Sequence, residues 1–216
     1  MKKGLALAII LTILAASFMA CTGTLAEAGD AFYVYRDYAS EDNHFNMKAM
    51  MSAGGFEDMV YMMNESFTDQ PYSGDTCIRC QVNTKKGTWG GWMFLTGMLV
   101  PDEEYLIFND GATPDQGEDL TGMHELRFWA RGQNGGESVE FICFGFGAED
   151  SAIAYKDTAS KQKLKVNLTT DWQEYVIRWD SLDLSNIVLG FGYACSDGKS
   201  EVKENIFYLD EIRYLP

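Results

Sequence analysis

Short apolar runs separated by turn-forming residues make up most of the chain after residue 30. Alternating apolar and polar positions, or a brief apolar run bounded by turns, indicate β-strands. Such runs occur at residues 31–37, 58–64, 76–83, 91–97, 104–108, 125–131, 138–146, 163–169, 174–180, 186–194 and 205–215. The intervening stretches, such as GQNGGE and SDGK, are rich in the Gly, Asn and Asp that tight turns favour. The pattern predicts an all-β, antiparallel β-sandwich or jelly roll of about ten to eleven strands, in a single domain over residues 29–216.

The alternation also assigns side chains to faces. In the run at 125–131, one face carries Leu126, Phe128 and Ala130, and the other, which we expect to be partly solvated, carries Arg127, Trp129 and Arg131. No segment holds an apolar helical stripe for more than about two turns. Residues 46–53 (NMKAMMSA) are the best short candidate for a helix.

The first 28 residues are typical of an export signal. Lys2 and Lys3 precede an almost wholly apolar stretch at residues 4–20, which is slightly short for a membrane span. Two cleavage sites are open: a lipoprotein-type site before Cys21, which would then be lipidated, or ordinary cleavage near Ala28. Both predict an extracytoplasmic protein, either a cell-surface lipoprotein or a secreted one, that touches a membrane only through an N-terminal lipid anchor.

Charge narrows the choice of partner. The sequence contains 17 Lys+Arg against 32 Asp+Glu, which gives a formal net charge of −15. A protein of this charge repels a phosphate backbone, so a nucleic-acid partner is excluded. Neutral ligands and divalent cations remain open.

Motifs for catalysis are mostly absent. His44 and His124 are the only histidines, so an H-E-x-x-H zinc site is impossible, and no G-x-S-x-G sequence occurs. Many carboxylates could form a hydrolytic pair, and for that reason no pair stands out. We therefore predict no enzyme activity, with a glycan hydrolase or lyase as the lesser alternative.

Four cysteines lie in the predicted domain: Cys77, Cys80, Cys143 and Cys195. Cys77 and Cys80 form a C-x-x-C on a predicted strand, where a spacing of three places them on opposite faces, a poor geometry for a metal or redox pair. One or two structural disulfides and buried free thiols both remain open.

Taken in order, several segments resemble an exported jelly-roll family of carbohydrate-binding-module type, within the galactose-binding-like sandwiches. The matching segments are DNHF (42–45), SAGGFEDM (52–59), QPYSGDTCI (70–78), GTWGGWMF (87–94), DLTGMHELRFWARGQNGGESVEF (119–141), LTTDWQEYVIRW (168–179), DLSNIVLGFGYA (183–194) and FYLDEIRY (207–214). The resemblance covers nearly the whole predicted domain and implies its fold, together with a binding role whose ligand is not known.

The resemblance also implies a structural Ca²⁺. Sandwiches of this kind commonly bind the ion between a carboxylate of the last strand and residues near the first strand, and calcium takes six to eight oxygen ligands. Asp210 matches the last-strand position, and the acidic residues near the first strand are Asp37, Glu41 and Asp42. The alternative is that Asp210 is a hydrogen-bonded carboxylate at the end of a strand, without an ion.

A glycan site needs exposed aromatic rings, on which sugar faces stack, beside fixed polar groups. The candidates are Trp89, Trp92, Trp129, Arg127 and Arg131. We predict a non-catalytic carbohydrate-binding domain whose partner is a glycan or another envelope component. The alternative is a structural or protein-interaction module of the cell envelope without glycan affinity.

Overall fold

The computed structural model describes residues 31–53, 61–99, 106–108, 111, 114, 116–148, 152–196 and 203–216. The predicted export signal and Cys21 lie outside these residues. Among the described residues, none belongs to a helix long and apolar enough to cross a membrane.

Within the described ranges the chain forms strands and no helix. The strands are β1 (Phe32–Tyr35), β2 (Met47–Ala53), β3 (Tyr61–Phe67), β4 (Cys77–Thr84), β5 (Trp89–Leu95), β6 (Gly97–Leu99), β7 (Leu106–Phe108), β8 (Glu125–Gly132), β9 (Ser138–Cys143), β10 (Gln162–Asn167), β11 (Gln173–Arg178), β12 (Leu189–Ser196) and β13 (Lys203–Leu215).

Two antiparallel sheets form the body of the molecule. The six-stranded sheet has the order β11-β8-β13-β4-β3, with β1 paired to β13 as its sixth strand, and the five-stranded sheet has the order β10-β9-β12-β5-β2. The strands β6 and β7 form a separate small pair. The prediction of an all-β, antiparallel sandwich is confirmed.

Aromatic side chains from both sheets fill the space between them. Phe128 of β8 meets Phe141 of β9 and Phe191 of β12, with ring centroids 4.6 Å and 5.3 Å away, respectively. Leu126, Phe128 and Ala130 are all buried, and the alternate positions of β8 are only partly so. The predicted faces of this strand are therefore confirmed. Burial of apolar area, worth about 25 cal/mol per Å², is the main force that holds the two layers together.

Residues 46–53, the best short candidate for a helix, do not form one. Met47–Ala53 is the edge strand β2, and every one of its residues is paired with β5. Ala, Met and Lys favour a helix by intrinsic propensity, but propensity is weak beside the pairing and packing that a neighbouring strand provides. The alternation of Met47, Ala49 and Met51, which share a cluster with Leu95, fits the strand.

All four cysteines of the domain are buried and free, so the structure has the buried thiols rather than disulfides. Cys80 belongs to the main core, whereas Cys77 packs with Ile206 and Tyr208 on the other side of the six-stranded sheet. The prediction that Cys77 and Cys80 point to opposite faces is confirmed. Burial raises the pKa of both Cys77 and Cys195 to about 12, which makes these thiols inert at neutral pH.

Candidate ligand-binding groove and the opposite sheet face

A groove of about 300 Å³ lies on the outer face of the five-stranded sheet. Its lining comes from all five strands and from the residue just before β10: Met51, Trp89, Ser138, Glu140, Ile142, Lys161, Lys165, Ala194 and Ser196. Residues directly opposite each other on paired strands share a face. The register shows one such row running across the whole sheet: Met51, Gly91, Ala194, Glu140 and Lys165.

The centre of this row consists of small residues, whose side chains rise little above the sheet. Gly91 and Ala194 lie opposite each other on β5 and β12. A Cβ at Gly91 would overlap the carbonyl oxygen of Tyr193, so the local approach of the two backbones requires glycine there. Larger side chains, Met51 on one side and Glu140 on the other, rise around this depression, which produces the groove.

The groove combines an apolar floor with a polar border. Met51, Ile142 and Ala194 supply apolar atoms, and Trp89 lies at one end with 38% of its surface exposed. No other ring of the described residues stacks on Trp89. The hydroxyls of Ser138 and Ser196 and the charged ends of Glu140, Lys161 and Lys165 are the polar groups of the lining.

The outer face of the six-stranded sheet also carries aromatic rings, but they contact one another. Tyr72 stacks on Trp129 with centroids 3.7 Å apart and an interplanar angle of 13°, and Trp172 meets the edge of Tyr72 at 6.2 Å. The guanidinium of Arg131 lies 3.9 Å from the ring centroid of Tyr208 and 5.2 Å from that of Trp172. We call this set of five residues the stacked cluster.

Charged side chains beside the stacked cluster are also paired. Arg127 contacts Glu125 at 2.5 Å and Glu174 at 3.0 Å, and Arg213 contacts Glu174 at 3.7 Å and Glu211 at 2.9 Å. Both arginines therefore donate hydrogen bonds to carboxylates of the protein itself.

The predicted glycan residues do not come together. Trp89 lies in the groove, but Trp92 points to the other side of β5, packs against the core and has a buried indole nitrogen. Trp129, Arg127 and Arg131 lie on the other sheet and are engaged as described above. The sequence could have shown that Trp89 and Trp92 do not share a site, since they are three residues apart on one strand and must face opposite sides.

Most residues of the groove were missed. The lysines at 161, 163 and 165 occupy alternate positions at and just before β10, so the sequence does show that they share a face. What it does not show is that β10 lies beside β9, which brings Lys165 opposite Glu140. The pairing of distant strands carries that information.

Asp210 is buried where β13 changes neighbours. Before it, β13 pairs with β4 as far as Leu209, and after it, β13 pairs with β1 from Ile212. The Asp210 carboxylate accepts backbone N–H groups from Tyr72 at 2.8 Å and Ser73 at 3.2 Å on Oδ2, and from Glu211 at 2.8 Å on Oδ1. Burial raises the pKa of Asp210 to about 7, although the three N–H donors oppose that shift.

The other predicted calcium ligands have partners of their own. Asp37 accepts the N–H of Asp75 at 3.1 Å and both the N–H and the hydroxyl of Thr76 at 2.8 and 2.5 Å. Burial alone would raise the pKa of Asp37, but these hydrogen bonds outweigh it and hold the pKa below its usual value. Asp42 forms an exposed ion pair with Arg36 at 2.6 Å.

The predicted calcium ligands therefore do not converge as a cluster of carboxylates among the described residues. Asp210 and Asp37 direct their oxygens at N–H and O–H donors, and Glu41 is exposed on its loop. No group of three or more His, Cys, Asp or Glu side chains in the described ranges converges as a metal site would require. Calcium binding stays a prediction that these residues do not fit.

No protein-family model matches the chain, and no curated protein matches it. Solved structures do resemble it. A β-1,2-glucanase from Parabacteroides distasonis aligns with a TM-score of 0.52 at 10% identity, over 87% of this chain and 25% of that one. A structure of carbohydrate-binding modules from the β-sandwich superfamily aligns with a TM-score of 0.50 at 11% identity, over 84% and 63%.

A family 11 carbohydrate-binding module from Clostridium thermocellum, in complex with a β-1,3-1,4-mixed-linked tetrasaccharide, aligns with a TM-score of 0.48 at 9% identity, over 78% of this chain and 88% of that one. At such identities the likenesses concern the fold. This chain has a β-sandwich of the kind found in carbohydrate-binding modules.

Proposed function

We propose that the protein is a non-catalytic carbohydrate-binding domain whose ligand lies in the groove of the five-stranded sheet. The observation that carries this is the position of Trp89, an exposed ring at the end of a groove that also presents hydroxyl and charged groups. A fold is shared by proteins of many functions, so the residues of the groove, rather than the sandwich, support the assignment.

The chemistry of a sugar matches this lining. The C–H face of a sugar ring stacks on an aromatic ring, and its hydroxyls need fixed donors and acceptors. Trp89 provides the ring, and Ser138, Ser196 and Glu140 provide polar partners around an apolar floor. The volume of about 300 Å³ is at the small end of the range of about 300–1,000 Å³ for ligand sites.

A binding role suits the groove better than hydrolysis. Glycoside hydrolysis generally uses two carboxyl groups, about 5–9.5 Å apart, on either side of the scissile bond. Glu140 is the single carboxylate among the described lining residues. This supports a domain that holds a glycan without cleaving it.

Export completes the proposal. The apolar N-terminal stretch and Cys21 support a secreted or lipid-anchored protein that meets its glycan, or another envelope component, outside the cytoplasm. A structural module of the envelope remains the alternative, and a lack of any glycan affinity would favour it.

The test is retention on a panel of immobilised polysaccharides, neutral and acidic. We expect the wild type to be retarded by at least one of them and Trp89→Ala to bind it about tenfold more weakly, since it loses both ring stacking and buried area. Tyr38→Ala is the matched control, because Tyr38 is an aromatic residue with 60% exposure on the loop after β1. Wild-type protein that binds none of the polysaccharides, or binds equally well after Trp89→Ala, contradicts the proposal.

A further inference from the structure

Positive charge is concentrated along one edge of the groove. Lys161, Lys163 and Lys165 occupy alternate positions at and just before β10, the edge strand of the five-stranded sheet. In the register, Lys165 lies opposite Glu140 and Lys163 lies opposite Ile142, and Glu140 and Ile142 both line the groove. The three lysines are exposed and share the side of the sheet on which the groove opens.

Little of this charge is neutralised within the protein. Glu140 pairs with Lys163 at 3.8 Å, and both side chains are substantially exposed, so solvent screens the pair. Lys161 and Lys165 have no ion-pair partner in the described part of the chain. The arginines of the opposite sheet differ, because Arg127 has two carboxylate partners.

The lysines at this edge contrast with the negative net charge of the whole chain. With a formal charge of −15, the protein as a whole repels anions. Among the described residues beside the groove, three lysines face one carboxylate, which reverses the sign of the charge locally. A charge interaction reaches only about 8–10 Å in physiological salt. The electrostatic attraction between an anion and these lysines is therefore strongest once the anion lies in the groove.

We propose that the ligand of the groove is an anionic glycan, whose sugar ring packs on Trp89 and whose carboxylate or sulfate groups lie among Lys161, Lys163 and Lys165. This inference rests on the proposed function and names the class of sugar. Lysine donates charge-assisted hydrogen bonds to such groups as a flexible point charge, and so it accommodates either kind of anion.

Lysines on an edge strand have another common role. They prevent a second chain from pairing with the exposed backbone of the edge. Lysines that serve only this purpose confer no preference for charged ligands, so binding measurements separate the two roles.

The experiment compares ligands that share a sugar backbone and differ in whether it carries anionic groups. Polygalacturonate is compared with its fully methyl-esterified form, and dextran sulfate with dextran, for the wild type, K161Q/K165Q and Trp89→Ala. The control is R36Q/K156Q, which removes an equal number of positive charges at two positions outside the groove lining. Binding is measured by affinity electrophoresis and by calorimetry.

We expect the wild type to prefer the charged member of at least one pair, and the pair concerned identifies carboxylate or sulfate as the anion. K161Q/K165Q should lose about tenfold in affinity for it, while the control changes less than about twofold. Raising NaCl from about 10 to about 100 mM, which shortens the Debye length from about 30 to about 10 Å, should weaken binding of the charged ligand alone.

Two outcomes overturn the inference and remain distinguishable. If neutral polysaccharides bind as well as charged ones, and Trp89→Ala removes both, then the groove binds glycans but the ligand is not anionic. If neither member of any pair binds the wild type, the proposed function fails, and the inference fails with it.

Discussion

The outer faces of the two sheets carry similar residues and differ in what those residues contact. Each has a tryptophan near basic side chains: Trp129 between Arg127 and Arg131 on one, and Trp89 across the groove from Lys161 and Lys165 on the other. On the six-stranded sheet Tyr72 stacks on Trp129, Arg127 forms ion pairs, and Arg131 packs against the rings of Tyr208 and Trp172. On the five-stranded sheet the ring is exposed and two lysines have no ion-pair partner among the described residues.

Coverage by another part of the chain explains the difference. The loop before β4 lies across the six-stranded sheet, where Tyr72 covers Trp129, and Asp210 holds the backbone N–H groups of Tyr72 and Ser73. Aromatic and basic residues that satisfy one another in this way stabilise the fold. The same residue types left without internal partners are available to a ligand.

The largest expected effect comes from removing the group that fixes this loop. Asp210→Ala leaves the N–H groups of Tyr72, Ser73 and Glu211 without their acceptor. These hydrogen bonds are partly buried, and an unsatisfied donor costs about 1–3 kcal/mol when fully buried. We therefore expect the free energy of unfolding to fall by about 2–4 kcal/mol in urea titrations.

Asp42→Ala is the control, because it breaks an exposed ion pair and should change stability by less than about 1 kcal/mol. The same proteins test the calcium prediction. A melting temperature that rises with added Ca²⁺, and no longer does so in Asp210→Ala, would support it, whereas an identical wild-type melt in EDTA would contradict it. A stability loss in Asp210→Ala no larger than in Asp42→Ala would show that Asp210 does not anchor the loop.

A second expected effect is on the pH dependence of stability. Burial raises the pKa of Asp210 to about 7 and that of Asp157 to about 6, whereas an aspartate in the unfolded chain titrates near 3.9. Between about pH 4 and pH 7 these two aspartates therefore hold more protons in the folded state than in the unfolded state, and their contribution to stability falls as the pH rises. The lowered pKa of Asp37 has the opposite sign and acts at the acid end of this window.

Thermal melts across this window test the sign. We expect the wild-type melting temperature to fall between about pH 4.5 and about pH 7.5. Residue 210 of Asp210→Asn cannot ionise, so the melting temperature of this variant should fall by less over the same interval. Asp157 still titrates in that variant and should leave a smaller decline that ends near its pKa of about 6. A wild-type melting temperature that rises between these pH values would show that raised aspartate pKa values do not govern the pH dependence of stability.

Local alternation predicted the fold well and the site poorly. It placed eleven strands and the two faces of β8, because side chains on a strand alternate whatever its neighbours are. It failed for β2, where helix-favouring residues pair along their whole length with β5. It also could not reveal the groove, whose central row joins five strands that lie far apart in sequence.

Trp129 is a second case in which alternation along one strand was not sufficient. Its position on a half-solvated face was correctly predicted, but its availability depends on Tyr72, which lies in a loop 57 residues earlier in the sequence. No periodicity within β8 contains that contact. Exposure of a face can be inferred from one strand, whereas its coverage by a distant loop requires the tertiary structure.

The smallest expected effect comes from Tyr72→Ala, which tests the difference between the two sheet faces most directly. Tyr72→Ala removes the ring that covers Trp129 and leaves the groove intact. An aromatic pair contributes about 0.5–1.5 kcal/mol beyond its buried area, so we expect a modest loss of stability, more efficient quenching of tryptophan fluorescence by acrylamide, and glycan retention within about twofold of the wild type. If Tyr72→Ala abolishes retention as Trp89→Ala is expected to do, the ligand lies on the six-stranded sheet and the roles of the two faces are reversed.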